Sequence, residues 1–180
     1  MNYASINEMD IANGPGLRVN LFVSGCTHHC RGCFNPEAWD FNYGKKFTEE
    51  TEKTLLGYMD FSYIKGITIL GGEPMEPENQ KVLLPFLRKV KEKFPGKDIW
   101  IYSGYTIEEM LYGKLSKCST TKEILKLTDV LVDGEFVETK KDLKLQFRGS
   151  SNQRIIHIEK SPEGDILPIC TSLPCPDPDF

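Results

Sequence analysis

Cys26-Thr-His-His-Cys30-Arg-Gly-Cys33 places three thiols within eight residues, directly after the apolar run Leu21-Phe22-Val23. A structural zinc ion in a protein usually has four protein ligands. A cubane iron–sulfur cluster has four irons, and thiolates usually bind them. Three close cysteines can therefore hold a cubane and leave one iron free to bind a small molecule. The alternative is a zinc site in which His28, His29 or His157 is the fourth ligand.

The composition is that of an ordinary soluble domain. The chain has 180 residues, of which 39% are hydrophobic and 27% charged, and this is enough for one domain with a core. A net charge of −4 offers no basic surface to nucleic acid, and no apolar run approaches the ~20 residues that span a membrane. Residues 1–10 lack the basic and apolar regions of a signal peptide. We therefore expect a cytoplasmic protein whose six cysteines are metal ligands or free thiols rather than disulfides.

Runs of apolar, β-favouring residues predict a series of strands. The main candidates are 18–24, 66–70, 98–102 and 129–132, and the weaker ones are 143–147 and 154–158. Helices are predicted between them, with N-terminal caps at Thr48, Thr106 and Thr120. Pro85 either lies in the first turn of a helix that begins near Leu84 or kinks a longer helix.

The alternation of strands and helices indicates a parallel sheet with right-handed crossovers. About five strands are too few to close an eight-stranded barrel. The predicted fold class is therefore α/β, with a partial (incomplete) β/α barrel of about five mostly parallel strands. Residues 1–160 are predicted to form one domain, and residues 161–180 a proline-rich tail that is extended or mobile.

The turns after the first four strands are expected to meet at one edge of this sheet, where ligands bind in parallel α/β folds. There the cysteine loop would meet residues 71–73, 103–105 and 133–134. Gly71-Gly72-Glu73 has the composition of a ligand-binding turn, because glycines let the backbone approach a ligand and a carboxylate accepts hydrogen bonds from an ammonium group. The same residues are also compatible with a plain turn.

The cysteine spacing C-x3-C-x2-C and the following Gly71-Gly72-Glu73-Pro74 resemble the radical S-adenosylmethionine superfamily. A longer series of motifs resembles one family within it, the activating enzymes of anaerobic (class III) ribonucleoside-triphosphate reductases, over residues 1–158. These motifs are Met1-Asn2-Tyr3, Asn13-Gly-Pro-Gly16 with Arg18, Leu21-Phe-Val-Ser-Gly-Cys26, Gly32-Cys-Phe-Asn35, Trp39, Gly71-Gly-Glu-Pro74, Pro95-Gly-Lys-Asp-Ile-Trp100, Ser103-Gly-Tyr105, Val130-Leu-Val-Asp-Gly134 and Arg148-Gly-Ser-Ser-Asn-Gln153.

The resemblance implies a glycyl radical activase with a [4Fe–4S] cluster on Cys26, Cys30 and Cys33. S-adenosylmethionine would bind the fourth iron, and its reductive cleavage would give a 5′-deoxyadenosyl radical. That radical would take a hydrogen from a glycine in the large subunit of the reductase. The implied electron donor is flavodoxin or a similar low-potential carrier. Alternatives are the activase of another glycyl radical enzyme, a radical enzyme acting on a small molecule, and a zinc-binding interaction module.

The resemblance also implies roles for individual residues. The expected contacts of S-adenosylmethionine are Gly32, Cys33, Phe34, Gly71, Gly72, Glu73, Ser103, Asp133 and Arg148. The opening through which the partner glycine enters is expected to involve Asn13, Gly14, Arg18 and Asn152.

Several of these residues have a second interpretation. Phe34 follows the third cysteine and would take the adenine contact that an aromatic residue at the Gly32 position usually makes in the superfamily, or it simply packs in the core. Ser103 contacts the cofactor or shapes a tight turn, and Asp133 lines the cavity or caps its own turn. His28 is expected to be a solvated loop residue.

The remaining cysteines have no role in this scheme. Cys118 is expected to be a bystander between two helices. Cys170 and Cys175 lie in the tail, where they form a metal half-site, a disulfide or two free thiols.

Overall fold

The computed structural model of the protein describes residues 1–171, which form one eight-stranded sheet with helices packed against it. The strands are β1 (Asn2–Asp10), β2 (Leu17–Val23), β3 (Lys45–Lys46), β4 (Ile64–Gly71), β5 (Asp98–Tyr102), β6 (Val130–Asp133), β7 (Arg154–Lys160) and β8 (Ile166–Cys170). The α-helices are α1 (Glu49–Met59), α2 (Pro77–Lys93), α3 (Ile107–Leu111) and α4 (Ser119–Leu127). Short 3₁₀ turns lie at Pro36–Trp39 and Glu138–Lys140.

The centre of the sheet is parallel. Its strand order is β3-β1-β2-β4-β5-β6-β7-β8, and the four strands β2, β4, β5 and β6 run in the same direction. Helices follow β4 and β5, so the central strands are covered, and Leu21, Ile67, Ile101 and Leu131 are fully buried. The predicted α/β class with a largely parallel sheet is confirmed. The curvature of a partial barrel stays a prediction.

Antiparallel strands extend the sheet on both sides. β1 pairs with β2 in the register Ile6↔Leu21, and β7 pairs with β6 in the register Ile156↔Leu131. The sequence did not indicate β1, because most of its side chains are polar and at least partly exposed. Antiparallel strands at the edge of a sheet need only one buried face, so they lack the continuous apolar run that marks a central strand.

Two of the three predicted helix caps, Thr48 and Thr106, are confirmed. The cap predicted at Thr120 is wrong, because α4 already begins at Ser119 and its first turn has no side-chain cap. Thr48 caps α1 through a capping box with Thr51, as its sequence indicates.

α2 begins at Pro77, well before Leu84, because proline suits the first turn of a helix. Pro85 lies inside this helix on an exposed position, where water can satisfy the carbonyl group that lacks a partner.

The weak strand candidate at 143–147 is wrong. Residues 134–153 form a long connection between β6 and β7, called here the β6–β7 loop, whose backbone makes one isolated bridge, Lys141↔Ser150. Leu143 is 87% exposed and has no strand partner in this part of the chain. The backbone of 143–147 is therefore not part of the sheet, although the ring of Phe147 packs against the buried Trp100 with centroids 5.6 Å apart.

Residues 166–170 of the predicted tail belong to the sheet. β8 pairs with β7 in the register Ile158↔Pro168, so the chain continues the sheet beyond residue 160. Cys170 ends β8, whereas Cys175 lies outside the described residues. None of the helices within residues 1–171 is long and apolar enough to cross a membrane.

Candidate metal and cofactor site

A cavity of about 470 Å³ lies at the carboxyl ends of the central parallel strands. The turns that follow β2, β4 and β5 line it, together with the start of the β6–β7 loop at Gly134. The predicted convergence of these turns is therefore observed. Gly72 belongs to this junction, because a Cβ atom there would lie 2.7 Å from the carbonyl oxygen of Gly25. The turn after β4 thus packs directly against the residue that precedes Cys26.

The cysteine loop places its three thiols on this cavity. Cys26 is buried, Cys30 and Cys33 are half-buried, and all three line the cavity. The backbone amide of Cys33 donates to the carbonyl of Cys30 at 3.1 Å, and the amide of Cys26 donates to the carbonyl of Trp39 at 3.2 Å. The loop is therefore held both by its own turn and by the 3₁₀ segment that follows it.

The chemistry of these thiols is compatible with a cluster. Burial is the main reason that the pKa of Cys26 is raised to about 12, so its thiolate form needs the positive charge of a metal. Within residues 1–171 there is no group of three His, Cys, Asp or Glu side chains that could hold one metal ion. In a cubane each thiolate binds a different iron, so the three thiols need not converge on one point.

Glu73 is fixed in orientation beside the cysteine loop. Its side chain is almost completely buried. Its Oε1 accepts hydrogen bonds from the amide of Met75 at 2.7 Å and the hydroxyl of Ser103 at 2.8 Å, and Oε2 accepts one from the amide of Gly104 at 2.7 Å. Ser103 therefore positions the carboxylate as well as lining the cavity.

His28 is not the solvated residue that the sequence suggested. Its side chain is 9% exposed and lies between two carboxylates, with Nε2 3.2 Å from Oε2 of Glu73 and Nδ1 2.7 Å from Oε1 of Glu135. Burial alone would lower the pKa of His28, but Glu73 and Glu135 outweigh it and raise the pKa to about 9. No local pattern indicates this placement, because Glu73 and Glu135 come from other turns of the sheet.

Asp133 has a structural role, whereas the sequence analysis expected it to contact the cofactor. It is fully buried and accepts hydrogen bonds from the amide of Ile107 and from Nε of Arg154, both at 2.8 Å. Burial raises the pKa of Asp133, although the guanidinium of Arg154 opposes the shift. Its carboxylate joins β6 to α3 and β7, and its neighbour Gly134 lines the cavity instead. Because Asp133 is buried and does not line the cavity, its expected contact with the cofactor is not supported.

Arg18 is also internal rather than accessible to a partner. It is fully buried, its Nη2 lies 2.6 Å from Oδ1 of Asp98, and its Nε donates to the hydroxyl of Thr68 at 2.8 Å. Its guanidinium lies over the ring of Trp100 at 5.3 Å. Gly14 is buried against this arginine, since a Cβ atom there would lie 2.8 Å from Cδ of Arg18. Neither residue can border an opening for a glycine.

The other two residues expected at the opening for the partner glycine, Asn13 and Asn152, lie at or beside the cavity. Asn13 lines the cavity and is held by Asp10, whose Oδ2 accepts from its amide at 3.1 Å. Asn152 lies in a neighbouring groove with Gly104 and Gly134, and its Nδ2 donates to the carbonyl of Glu135 at 2.8 Å. One of the four expected residues therefore lines the cavity, and a second lies in the groove beside it.

Of the residues expected at the adenine, Cys33 and Phe34 line the cavity but Gly32 does not, and Arg148, expected elsewhere on S-adenosylmethionine, lines the cavity as well. Phe34 is 67% exposed and packs on Phe136 with ring centroids 5.1 Å apart. Nη1 of Arg148 donates to the carbonyl of Gln153 at 2.8 Å. Gly32 lies beside Glu138 on the surface, where a Cβ atom would be 3.0 Å from the carboxylate. Phe34 is thus neither a core residue nor enclosed.

Comparison with known proteins agrees with this site. A family model described as a 4Fe-4S single cluster domain matches residues 12–156. An anaerobic ribonucleoside-triphosphate reductase-activating protein of Pasteurella multocida is 45% identical over 157 residues, which are 86% of this chain and 96% of the relative.

Two further relatives carry the same name. The protein of Escherichia coli K12 is 40% identical over 160 residues, 88% of this chain and 99% of its own. The protein of Enterobacteria phage T4 is 41% identical over 155 residues, 86% of this chain and 93% of its own. With the three thiols on one cavity and these similarities over most of its length, the chain belongs to the family of anaerobic ribonucleoside-triphosphate reductase-activating proteins, a family of enzymes with a 4Fe–4S cluster domain.

Proposed function

We propose that the protein cleaves S-adenosylmethionine reductively and generates a glycyl radical on the large subunit of anaerobic ribonucleoside-triphosphate reductase. The observation that carries the proposal is that three cluster thiols and a buried carboxylate, Glu73, line one cavity at the carboxyl ends of the parallel strands. The names of the relatives support the choice of the reductase over other glycyl radical enzymes. The cytoplasmic location remains a prediction.

Each part of the cavity has a task in this proposal. Cys26, Cys30 and Cys33 would hold three irons of the cluster, leaving the fourth for the amino and carboxylate groups of S-adenosylmethionine. When bound and reduced, the cluster would supply one electron that breaks the sulfonium carbon–sulfur bond, giving methionine and a 5′-deoxyadenosyl radical that removes one hydrogen atom from the glycine. Glu73 would accept hydrogen bonds from the amino group of S-adenosylmethionine.

The outer side of the cavity would receive the adenosine and the partner. Phe34, Arg148 and Asn13 line the cavity, whereas Asn152 lies in the adjoining groove. The face of Phe34 can stack on adenine, and the amide side chains can bind the backbone around the partner glycine. Flavodoxin or a similar low-potential carrier is proposed as the electron donor.

The test starts with anaerobically reconstituted protein, which should contain about four irons per chain. It is incubated with the reductase subunit, S-adenosylmethionine and a one-electron reductant, and the glycyl radical is followed by electron paramagnetic resonance. We expect a radical signal and an equivalent amount of 5′-deoxyadenosine.

The variant Cys26→Ala should abolish both the signal and the deoxyadenosine, because the cluster loses a ligand. The matched control is Cys118→Ala, since Cys118 lies beside Thr120 at the start of α4 and should not affect iron content or activity. Stoichiometric zinc without iron after reconstitution, or failure to cleave S-adenosylmethionine, would contradict the proposed function.

A further inference from the structure

His28 joins the two sides of the cavity but has no part in the function proposed above. Its imidazole lies between Glu73, on the turn after β4, and Glu135, on the β6–β7 loop. The ring also packs edge-on against Tyr105, with centroids 4.4 Å apart. Its backbone lies between Cys26 and Cys30, two of the residues that would hold the cluster, so a displacement of His28 would involve mainly its side chain.

The contact with Glu73 occupies a particular acceptor position. A carboxylate has about four positions at which it can accept hydrogen bonds. Three are used by the amides of Met75 and Gly104 and the hydroxyl of Ser103, and two of these bonds go to Oε1. The remaining position is therefore on Oε2, which is the atom that Nε2 of His28 faces at 3.2 Å.

The contact between His28 and Glu73 is close but lacks the alignment of a good hydrogen bond. Nε2 of His28 is buried and makes no aligned hydrogen bond among the described residues. Nδ1 lies closer to its own partner, Glu135, at 2.7 Å. The carboxylate of Glu135 is 57% exposed, so it can follow the ring outward, whereas Glu73 is held by its three donors. The imidazole is thus bound more firmly to Glu135, the carboxylate that can move, than to Glu73.

The geometry points to a role that rests on the proposed function: His28 is a placeholder for the amino group of S-adenosylmethionine at Oε2 of Glu73, and the amino group displaces it toward Glu135. An ammonium group needs an acceptor at Glu73, and Oε2 is where one remains. Displacing the imidazole costs free energy, which lowers the apparent affinity for S-adenosylmethionine. The displacement also moves Glu135 and so couples the occupied cofactor site to the β6–β7 loop.

The test measures the dissociation constant of S-adenosylmethionine by anaerobic equilibrium dialysis on reconstituted protein without reductant, so that no turnover occurs. His28→Asn should bind S-adenosylmethionine about threefold to tenfold more tightly than the wild type, because the shorter amide does not occupy Oε2 of Glu73. Iron content and melting temperature show whether the loop is intact. A merely structural role of His28 would weaken binding, so the direction of the change separates the two roles.

Three controls test whether the effect depends on His28, on the amino group and on Glu73. His29→Asn, in the same loop, should leave the dissociation constant unchanged, because the ring of His29 stacks on Trp39 at 4.7 Å instead. 5′-Methylthioadenosine, which lacks the amino group, should bind the wild type and His28→Asn equally. In a Glu73→Gln background, loss of His28 should give no tightening, because the effect acts through that carboxylate.

Unchanged or weaker binding of S-adenosylmethionine by an iron-replete His28→Asn protein would overturn the inference. An equal increase in affinity for S-adenosylmethionine and for 5′-methylthioadenosine would also overturn it. If His28→Asn holds less iron than the wild type, His28→Ala makes the same comparison. Failure of the wild type to bind S-adenosylmethionine would instead contradict the proposed function, so the two failures are distinguishable.

Discussion

The two sides of the cavity differ in how firmly they are built. On the inner side, Glu73 and Ser103 are buried and joined by a hydrogen bond of 2.8 Å at the ends of the central strands. On the outer side, Phe34 is 67% exposed and Leu143, on the β6–β7 loop, is 87% exposed. The inner side therefore resembles the core of the fold, whereas the outer side has the exposed apolar side chains of a surface that a partner can cover.

This difference suggests a division of labour. Groups that hold a cofactor for radical chemistry must be oriented before the reaction, and buried hydrogen-bonded side chains provide such orientation. A surface that receives a large partner can be completed by that partner, so exposed loop residues suffice there. Variants on the inner side should therefore cost stability, whereas variants on the outer side should leave stability unchanged and affect only binding of the adenosine or activation of the reductase.

The largest effect is expected at Asp133, behind the inner side. Asp133→Ala removes a buried partner of Arg154 and should lower the free energy of unfolding by about 3 kcal/mol, measured by urea denaturation. The control is Glu108→Gln, because the carboxylate of Glu108 also binds Arg154 but is 27% exposed, and its loss should cost about 1 kcal/mol or less. If Asp133→Ala leaves the stability unchanged but weakens binding of S-adenosylmethionine, Asp133 contacts the cofactor rather than stabilising the fold.

A smaller loss of stability, with a loss of function, is expected at Glu73. Glu73→Gln places an amide nitrogen against donor groups and should cost about 1–3 kcal/mol of unfolding free energy. Binding of S-adenosylmethionine should weaken by about tenfold or more, since the negative charge that attracts the ammonium is lost. Dialysis and denaturation on the same protein provide the two measurements.

Glu76→Gln serves as the comparison for Glu73. Its Oε1 accepts from the amide of Thr27 at 3.0 Å, and a glutamine oxygen can keep that hydrogen bond. We expect affinity for S-adenosylmethionine close to that of the wild type. Equal losses of affinity in both variants would mean that the carboxylates act through the fold rather than through the amino group of the cofactor.

The smallest effect on stability is expected at Leu143. Leu143→Ser should change the free energy of unfolding by no more than about 0.5 kcal/mol, because the side chain is already in water. Cleavage of S-adenosylmethionine without the partner should be unchanged, while half-maximal glycyl radical formation should need about fivefold more reductase subunit.

Leu167→Ser, on β8, is the matched control for Leu143, since Leu167 is also partly exposed but lies on an edge strand. It should not alter the dependence on the reductase subunit. An equal effect of both substitutions would remove the distinction between the β6–β7 loop and the remaining surface.

The sequence predicted the features that depend on neighbouring residues. The cysteine spacing, the turn at 71–73 and the cap of α1 are local patterns, and the central strands carry continuous apolar runs because both of their faces are buried. The predicted meeting of the turns follows from the parallel order of those strands.

The features that were missed depend on residues far apart in the chain. Arg18 was expected at an opening, but Asp98 neutralises it inside the protein, and no local pattern marks this pair. Asp133 was assigned to the cofactor because Arg154 could not be recognised as its partner. His28 was expected to be solvated because its two partners, Glu73 and Glu135, are distant in the sequence. A charged residue near a motif can therefore serve either the ligand or the fold, and only its partners decide between them.

The edges of the sheet bear on how the protein behaves at high concentration. An open sheet presents unpaired backbone groups at its edges, and these can pair with another copy and start aggregation. Here one edge is the two-residue strand β3, made of Lys45 and Lys46, which is short and positively charged. At the other, β8 contains Pro168, which has no amide hydrogen to donate. Both edges of the described sheet are therefore poorly suited to pairing with a second copy of the chain.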